Sequence, residues 1–138
     1  MVVTMVFISV VAGLLSSMNV WAANFKDVRF HLNDVYMAFL MAGWMLLFSY
    51  ISSSHNSYIM MVIAIIMIGA SFYAIRNQTF IDDKQFLKGM IPHHSMAILM
   101  SEKIRDKTTN PKIKKMASNI IQTQSSEINM LNDILHEI

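Results

Sequence analysis

Three long hydrophobic stretches in the first half of the chain constrain its fold more than any other feature. They cover about residues 1–22, 33–52 and 58–76. A helix needs about 20 apolar residues to cross the ~30 Å of hydrocarbon in a bilayer. Each stretch is close to that length, so the sequence predicts three transmembrane helices.

Charge is distributed unevenly between the two halves of the chain. Residues 1–75 carry four charged side chains, and the other sixteen of the chain's twenty lie in residues 76–138. Because lipid excludes charge and water accepts it, this change marks a boundary between two solvents. We therefore expect a membrane region over residues 1–76 and a polar domain over residues 77–138, and we expect lipid as a partner of the first.

The first stretch has two interpretations. Residues 20–23, Val-Trp-Ala-Ala, resemble the small-residue end of a signal peptide. However, no Lys or Arg precedes Lys26, so the positive region that begins such a peptide is missing. The pattern favours a retained span. Residues 52–57, which are rich in Ser, predict a tight turn that pairs the second and third spans as an antiparallel hairpin.

The positive charges bear on which side of the membrane the polar domain lies. With three spans, the loop carrying Lys26 and Arg29 lies on the same side as the polar domain, and the positive-inside rule favours the cytoplasm for both. His31 and His55 fall at opposite membrane boundaries, and we expect each to be an interfacial polar residue rather than a ligand.

The polar domain shows apolar residues at helical spacing in two segments. The first runs from Phe80 to Ile104 and the second from Lys112 to about His136, with a turn between them in which Asn110 and Pro111 suit the start of a helix. Two helices of this size rarely form a stable core alone. We predict an all-α fold in which the hairpin completes a four-helix bundle by forming a homodimer or a higher homo-oligomer.

A cluster of His and Met lies in the first of these helices. Met90, His93, His94 and Met100 share a broad helix face, and Met96 follows His93 by three residues. Imidazole and thioether together suit copper, Cu(I) best, although Cu(II) or Zn²⁺ also fits imidazole. Two residues of the second helix, which would pass close by in an antiparallel hairpin, extend the set of candidate metal ligands: Glu127 and Met130.

Pro92 interrupts this helical pattern, so we expect either a kink or a new helix start there. The His pair also has a plain interpretation, as a polar edge on an ordinary helical core.

Other function classes lack support in the sequence. There is no cysteine, which excludes disulfides and thiolate metal sites. Neither His-Glu-x-x-His nor Glu-x-x-His occurs, so zinc protease and di-iron chemistry are not indicated, and we expect no enzyme activity. A formal charge of +2 without a basic, aromatic-rich run gives no support for nucleic-acid binding.

One segment resembles a known family. Residues 85–98 read Gln-Phe-Leu-Lys-Gly-Met-Ile-Pro-His-His-Ser-Met-Ala-Ile, and residues 120–130 continue with a Gln-x-x-Glu-Ile pattern. Over about residues 76–138 this is similar to the bacterial domain of unknown function 305 family, and the front half is similar to small members with hydrophobic spans. The resemblance implies a ferritin-like helical bundle, copper binding through the His and Met of the signature, and a role in copper tolerance in the bacterial envelope.

The resemblance also bears on topology and assembly. It implies an extracytoplasmic C-terminal domain on a multi-pass bacterial inner-membrane protein, against the positive-inside count. Members with two hairpins per chain complete a bundle alone, whereas this chain has one. The sequence thus predicts a membrane-anchored protein that buffers or transfers copper. The alternative is a membrane structural or assembly partner without a metal function.

Overall fold

A computed structural model describes residues 2–52 and 58–138, and within them the chain is all-helical, without strands. Residue 1 and residues 53–57 lie outside the described residues. The second group includes His55 and most of the Ser-rich turn. The described residues form five α-helices, together with two short 3-10 turns at Met18–Trp21 and Phe25–Asp27. The helices are α1 (Val2–Leu15), α2 (Leu32–Ser52), α3 (Tyr58–Asn77), α4 (Asp83–Lys107) and α5 (Pro111–Glu137).

In the part of the chain that the structure describes, three segments are long and apolar enough to cross a membrane, as the hydrophobic pattern predicts. They are Val3–Trp21, Leu32–Ser52 and Tyr58–Asn77. The first consists of α1 and the following 3-10 turn, and α1 itself has 14 residues, or about 21 Å at 1.5 Å per residue. The α-helical part of the first span therefore ends at Leu15, well before the hydrophobic stretch ends near residue 22.

The chain forms two compact units. The first, here called the apolar unit, contains residues 1–17 and 32–81, and the second, here called the hairpin unit, contains residues 18–31 and 82–138. The sequence places one boundary at residues 76–77, whereas the structure also groups the loop between the first two spans with the hairpin.

Helices in the apolar unit approach closely at small residues. A Cβ atom on Gly13 would lie 2.6 Å from the Ala38 Cα, and one on Gly43 would lie 2.8 Å from the Ile68 Cγ1. Ala38 is fully buried, and so is Ala64, which joins Leu46 and Met60 in a small apolar core. Close backbone approach at Gly and Ala is the usual packing mode of transmembrane helices.

The hairpin unit is built from two capped helices. Asp82 accepts a hydrogen bond from the Gln85 amide at 2.7 Å and starts α4. Asn110 accepts from the Lys112 amide at 2.9 Å and starts α5, with Pro111 in the first turn as predicted. Each cap supplies an acceptor to a backbone N–H that has no partner within the helix. The core between α4 and α5 contains Leu87, Ile91, Ile98, Ile128 and Leu131.

Pro92 is a buried residue inside one continuous helix, since α4 runs without interruption from Asp83 to Lys107. A new helix does not begin there. The residues on either side of Pro92 therefore belong to one helix, and their separation in the sequence sets roughly how far apart the candidate ligands of α4 lie along its axis.

The loop between the first two spans packs against α4. The Ala23 amide donates to Ser95 Oγ at 2.9 Å, and that hydroxyl donates to Asp27 Oδ2 at 2.7 Å. Asp27 is only 2% exposed, so this hydroxyl bond gives a buried carboxylate one of the partners it needs. Ala23 also packs on the core of the hairpin.

Two further contacts hold the same loop in place. Asn19 and the backbone of Arg29 exchange two hydrogen bonds of 2.9 Å, and Arg29 Nη2 donates to Asn132 Oδ1 on α5 at 3.3 Å. His31 is buried and its ring packs over Gly89, where a Cβ would lie 3.4 Å from Nδ1. His31 is thus covered by protein within the hairpin unit, and its expected place at a membrane boundary stays a prediction.

Candidate functional site

His94 is the most constrained of the candidate ligands. It is buried, and its Nδ1 lies 2.7 Å from the backbone carbonyl oxygen of Met90, one turn earlier in α4. A carbonyl oxygen only accepts, so Nδ1 carries a proton and donates it. The other ring nitrogen, Nε2, points at α5 and lies 3.0 Å from Glu127 Oε2.

Glu127 is oriented from its own helix. Gln124, one turn earlier in α5, donates from Nε2 to Glu127 Oε2 at 3.0 Å. The Glu127 side chain is partly exposed, whereas the His94 side chain is mostly covered. The pair therefore lies at the edge of the core, open to solvent from the carboxylate side.

Two chemical states fit the distance between His94 and Glu127. With a proton on Nε2 the two groups form an ion pair. With the lone pair of a neutral imidazole on Nε2, the same two atoms can bind one metal ion. Donor atoms that each lie 2.0–2.1 Å from an ion are about 2.9–3.4 Å apart at ordinary coordination angles. The spacing thus suits either a proton or a metal between the two side chains.

His93 points in a different direction from His94. It is exposed, and its ring centroid lies 6.0 Å from that of His94, with the ring planes at 68°. Adjacent residues on a helix diverge by about 100°. Because α4 is continuous here, the two imidazoles do not converge on one point.

The methionines lie at different positions along the axis of the hairpin. The contact between His94 and Glu127 serves as the reference position on this axis, here called the His94 level. Because the helices are antiparallel, with Lys84 Nζ 3.4 Å from the Ile138 carbonyl oxygen, residues after Glu127 run toward the start of α4. Met90 lies about 6 Å from the His94 level, and Met130 about 4.5 Å from it on the same side, at 1.5 Å per residue.

Met96 and Met100 lie on the other side of that level. Met100 is about 9 Å beyond His94 along α4 and about 15 Å from Met90, which lies on the opposite side of His94. One ion therefore cannot take the thioethers of both Met90 and Met100 from a single chain. Of the candidate ligands, the structure brings His94 and Glu127 into contact. Along the axis, Met130 lies about 4.5 Å and Met90 about 6 Å to one side of this contact, and Met96 about 3 Å and Met100 about 9 Å to the other.

Other titratable groups do not add to this pair. Among the described residues, no three His, Cys, Asp or Glu side chains converge as a metal site would require. A mononuclear site at His94 would therefore draw its further donors from the thioethers or from a second molecule.

Two features of the site are not evident from the sequence. The first is that Met90 contributes its backbone carbonyl to His94, whereas the spacing pattern pointed to its sulfur. The second is Ser95, which follows the His pair and fixes the loop of residues 18–31 to α4. Its partner Asp27 is 68 residues away, and no local pattern links the two.

The fold and the site define a helical protein with three segments suited to crossing a membrane and a hairpin that carries a His–Glu pair. The family sequence model described as "Domain of unknown function (DUF305)" matches residues 55–137, more than half of the chain, and the chain belongs to this family. The match begins earlier than the predicted residue 76 and takes in the third apolar helix.

A relative of almost the same length is known from a virus. The chain is 51% identical over 140 residues to "Uncharacterized protein L153" of Acanthamoeba polyphaga mimivirus, and the alignment covers 99% of this chain and 92% of the relative. No solved structure matches the chain.

Proposed function

We propose that this protein is a membrane-anchored copper carrier or buffer, with the hairpin unit as its copper-binding part. The observation that carries the proposal is the orientation of His94. Its Nδ1 proton is held by the Met90 carbonyl, which leaves Nε2 for a metal ion beside the Glu127 carboxylate. A histidine fixed in this way is the usual arrangement at protein metal sites.

The thioethers within about one turn of the His94–Glu127 contact favour copper. Met90, Met96 and Met130 supply these soft donors, and the chain has no thiolate. Thioether with imidazole is a donor set that selects Cu(I), while Cu(II) and Zn²⁺ would use the imidazole and the carboxylate. The copper ion is cargo in this proposal, and we assign the protein no catalytic step.

The hairpin also presents an uncovered apolar face, here called the open face. On α4 it contains Phe86, His93, Met100 and Ile104, and on α5 Met116, Met130 and Ile134. In each helix these residues are rotated from the core-facing side by roughly 100° in the same sense. Since the helices are antiparallel, both stripes face the same side of the hairpin.

A second copy of the hairpin fits this face. Two hairpins that pack their open faces together form a four-helix bundle, the ferritin-like arrangement that the family resemblance implies, and the contact would cover apolar area that is costly to leave in water. His93 and Met130 of each copy would then lie in the interface. The donors that one chain lacks around His94 would come from that interface.

The membrane side of the hairpin is also part of the proposal. We place it extracytoplasmically in a bacterial inner membrane or, given the viral relative, on the equivalent side of another membrane. A cysteine added after Ile138 and kept reduced is treated, in intact cells, with a thiol reagent that does not cross membranes. Whether it is labelled decides the side. Labelling only in permeabilised cells would place the hairpin in the cytoplasm.

The first experiment is a Cu(I) titration of the full chain in detergent against a chromophoric chelator. The full chain is needed because residues 18–31 belong to the hairpin unit. We compare the wild type with His94→Ala and with His136→Ala, an exposed histidine outside the site. Copper binding that is lost only in His94→Ala supports the proposal. Equal binding by all three proteins would refute it.

A second candidate function rests on the open face alone. If the His94–Glu127 pair is only a packing contact, the apolar face would serve assembly in the membrane without metal. A dimer that forms equally well with chelator, with copper and in His94→Ala, together with unchanged copper binding in that variant, would favour this alternative.

A further inference from the structure

The loop of residues 18–31 has its polarity reversed relative to a loop that faces water. Its carboxylate, Asp27, is 2% exposed, while Trp21, Phe25 and Phe30 are 55%, 98% and 66% exposed. Val20 and Val28 are exposed beside them. Loops in water usually show the opposite arrangement, with charges outside and aromatic rings covered. We call these five apolar residues the aromatic edge.

This reversal is held in place by specific bonds. Asp27 accepts from Ser95 and from Asn24 Nδ2, at 2.7 and 3.4 Å. Asn19 bonds both the amide and the carbonyl of Arg29. The side chains of Asn19, Asn24 and Asp27 thus bond within the loop or to α4, and the ordered loop presents the aromatic edge and Lys26 outward.

Position along the chain selects the surface that covers this edge. The loop includes the end of the first membrane-span candidate, at Trp21, and directly precedes the second candidate, which begins at Leu32. A segment joining two spans on one side of a membrane lies at that membrane's surface. Tryptophan and other aromatic rings are enriched at this depth, where one part of the ring is apolar and another is wet.

The charges of the loop fit the same surface. Lys26 lies exposed between Phe25 and Asp27, and Arg29 Nη1 donates to the backbone carbonyls of Lys26 and Val28. Basic side chains next to aromatic rings that enter the lipid suit a layer of anionic or zwitterionic headgroups. Exposed Asp or Glu, which such headgroups would repel, is not found in residues 18–31.

We infer that the aromatic edge is a lipid-docking surface, which inserts Phe25 and its neighbours into the boundary between headgroups and acyl chains. Ser95 and Asp27 fasten this surface to α4, so docking holds the hairpin unit against the bilayer rather than on a free tether. The inference does not depend on copper binding, and either can fail without the other.

The test uses full-length protein in vesicles of phosphatidylcholine and phosphatidylglycerol. Both native tryptophans are replaced, by Trp21→Phe and Trp44→Phe, and a single probe is introduced by Phe25→Trp. The control in the same background is Thr109→Trp, an exposed residue in the turn between α4 and α5. Quenching is measured with phosphatidylcholines brominated high on the acyl chains and with aqueous acrylamide.

We expect the probe at position 25 to lose most of its fluorescence to brominated lipid and little to acrylamide, and the probe at position 109 to show the reverse. Quenching of the position 25 probe by acrylamide alone would mean that the aromatic edge faces water and would overturn the inference. Protection from both quenchers would also overturn it, because a protein surface would then cover the edge.

Discussion

His94 Nε2 lies 3.0 Å from Glu127 Oε2, and this contact links the two helices of the hairpin. The pair is partly exposed, so its attraction as an ion pair adds only modestly to stability. Its importance lies in chemistry, because the same geometry holds either a proton or a metal ion between the two side chains.

Replacing Glu127 by Gln tests whether the carboxylate supports metal binding. The amide keeps the shape and one acceptor oxygen but removes the charge next to His94. If copper binds at Nε2, we expect a fall of about 10- to 100-fold in copper affinity, the usual cost of losing a supporting carboxylate. Competition titration against a chromophoric chelator measures it.

The matched control is Glu137→Gln, which removes the same charge at an exposed position near the end of α5. A uniform effect of net charge would lower the affinity of both variants alike. Wild-type affinity in Glu127→Gln would mean that the carboxylate has no part in the site.

Ser95 is predicted to matter for stability more than a surface serine does. Ser95→Ala removes two hydrogen bonds and takes one partner from the buried Asp27 carboxylate. Leaving a buried polar group unsatisfied costs about 1–3 kcal/mol. We expect a loss of that size in the free energy of unfolding, measured by urea titration of the full chain in detergent with circular dichroism.

Ser118→Ala is the control for this change. The Ser118 hydroxyl is exposed and donates only to the Lys114 carbonyl of its own helix at 3.0 Å. Its replacement should change the free energy of unfolding by less than about 0.5 kcal/mol. Equal losses in the two variants would contradict the role assigned to the Ser95–Asp27 contact.

Asn110 should carry much of the stability of the start of α5. Its side chain accepts from the amides of Lys112 and Ile113, and replacing such a cap with Ala costs about 1 kcal/mol. We expect Asn110→Ala to unfold at lower urea concentration and Asn110→Asp, which keeps the acceptor, to restore most of the difference. Asn129→Ala, at an exposed position within α5, should not destabilise the protein, because Ala favours a helix.

Local signals in the sequence predict the helices of this protein well. The three apolar stretches, the Asn110–Pro111 start of α5 and the two-helix hairpin depend on the periodicity and capping of neighbouring residues, and the structure contains each of them. The packing of residues 18–31 on α4 was not predictable in the same way. It depends on Asp27 and Ser95, which are distant in the chain and unremarkable in their local context.

The candidate site was predictable only in part, because helical spacing indicates the side of a helix but not the position along its axis. Helical spacing places Met90, His93 and Met100 toward one side of α4, but a shared side does not mean a shared position along the axis. Because α4 continues through Pro92, Met90 and Met100 lie far apart along its axis. Fewer of the candidate ligands can therefore reach an ion at His94. The bond from His94 Nδ1 to the Met90 carbonyl depends on a rotamer, which spacing alone does not fix.

Two glycines provide the last prediction, on the packing of the apolar unit. A Cβ at Gly13 would lie 2.6 Å from the Ala38 Cα, whereas a Cβ at Gly69 would have no atom within 4 Å outside its own helix and neighbours. Backbone atoms cannot move aside cheaply, so Gly13→Ala has to push α1 away from α2. We expect it to destabilise the apolar unit by about 1–3 kcal/mol, the usual cost of overpacking.

Gly69→Ala should stay within about 0.5 kcal/mol of the wild type, because it adds a methyl group to an open surface. Titration with sodium dodecyl sulfate in mixed micelles, followed by the fluorescence of Trp44 in a Trp21→Phe background, reports on this unit alone. If both alanine variants unfolded at the same detergent fraction, α1 and α2 would not pack through Gly13 in the membrane. The close approach at Ala38 would then have no part in holding the first span against the second.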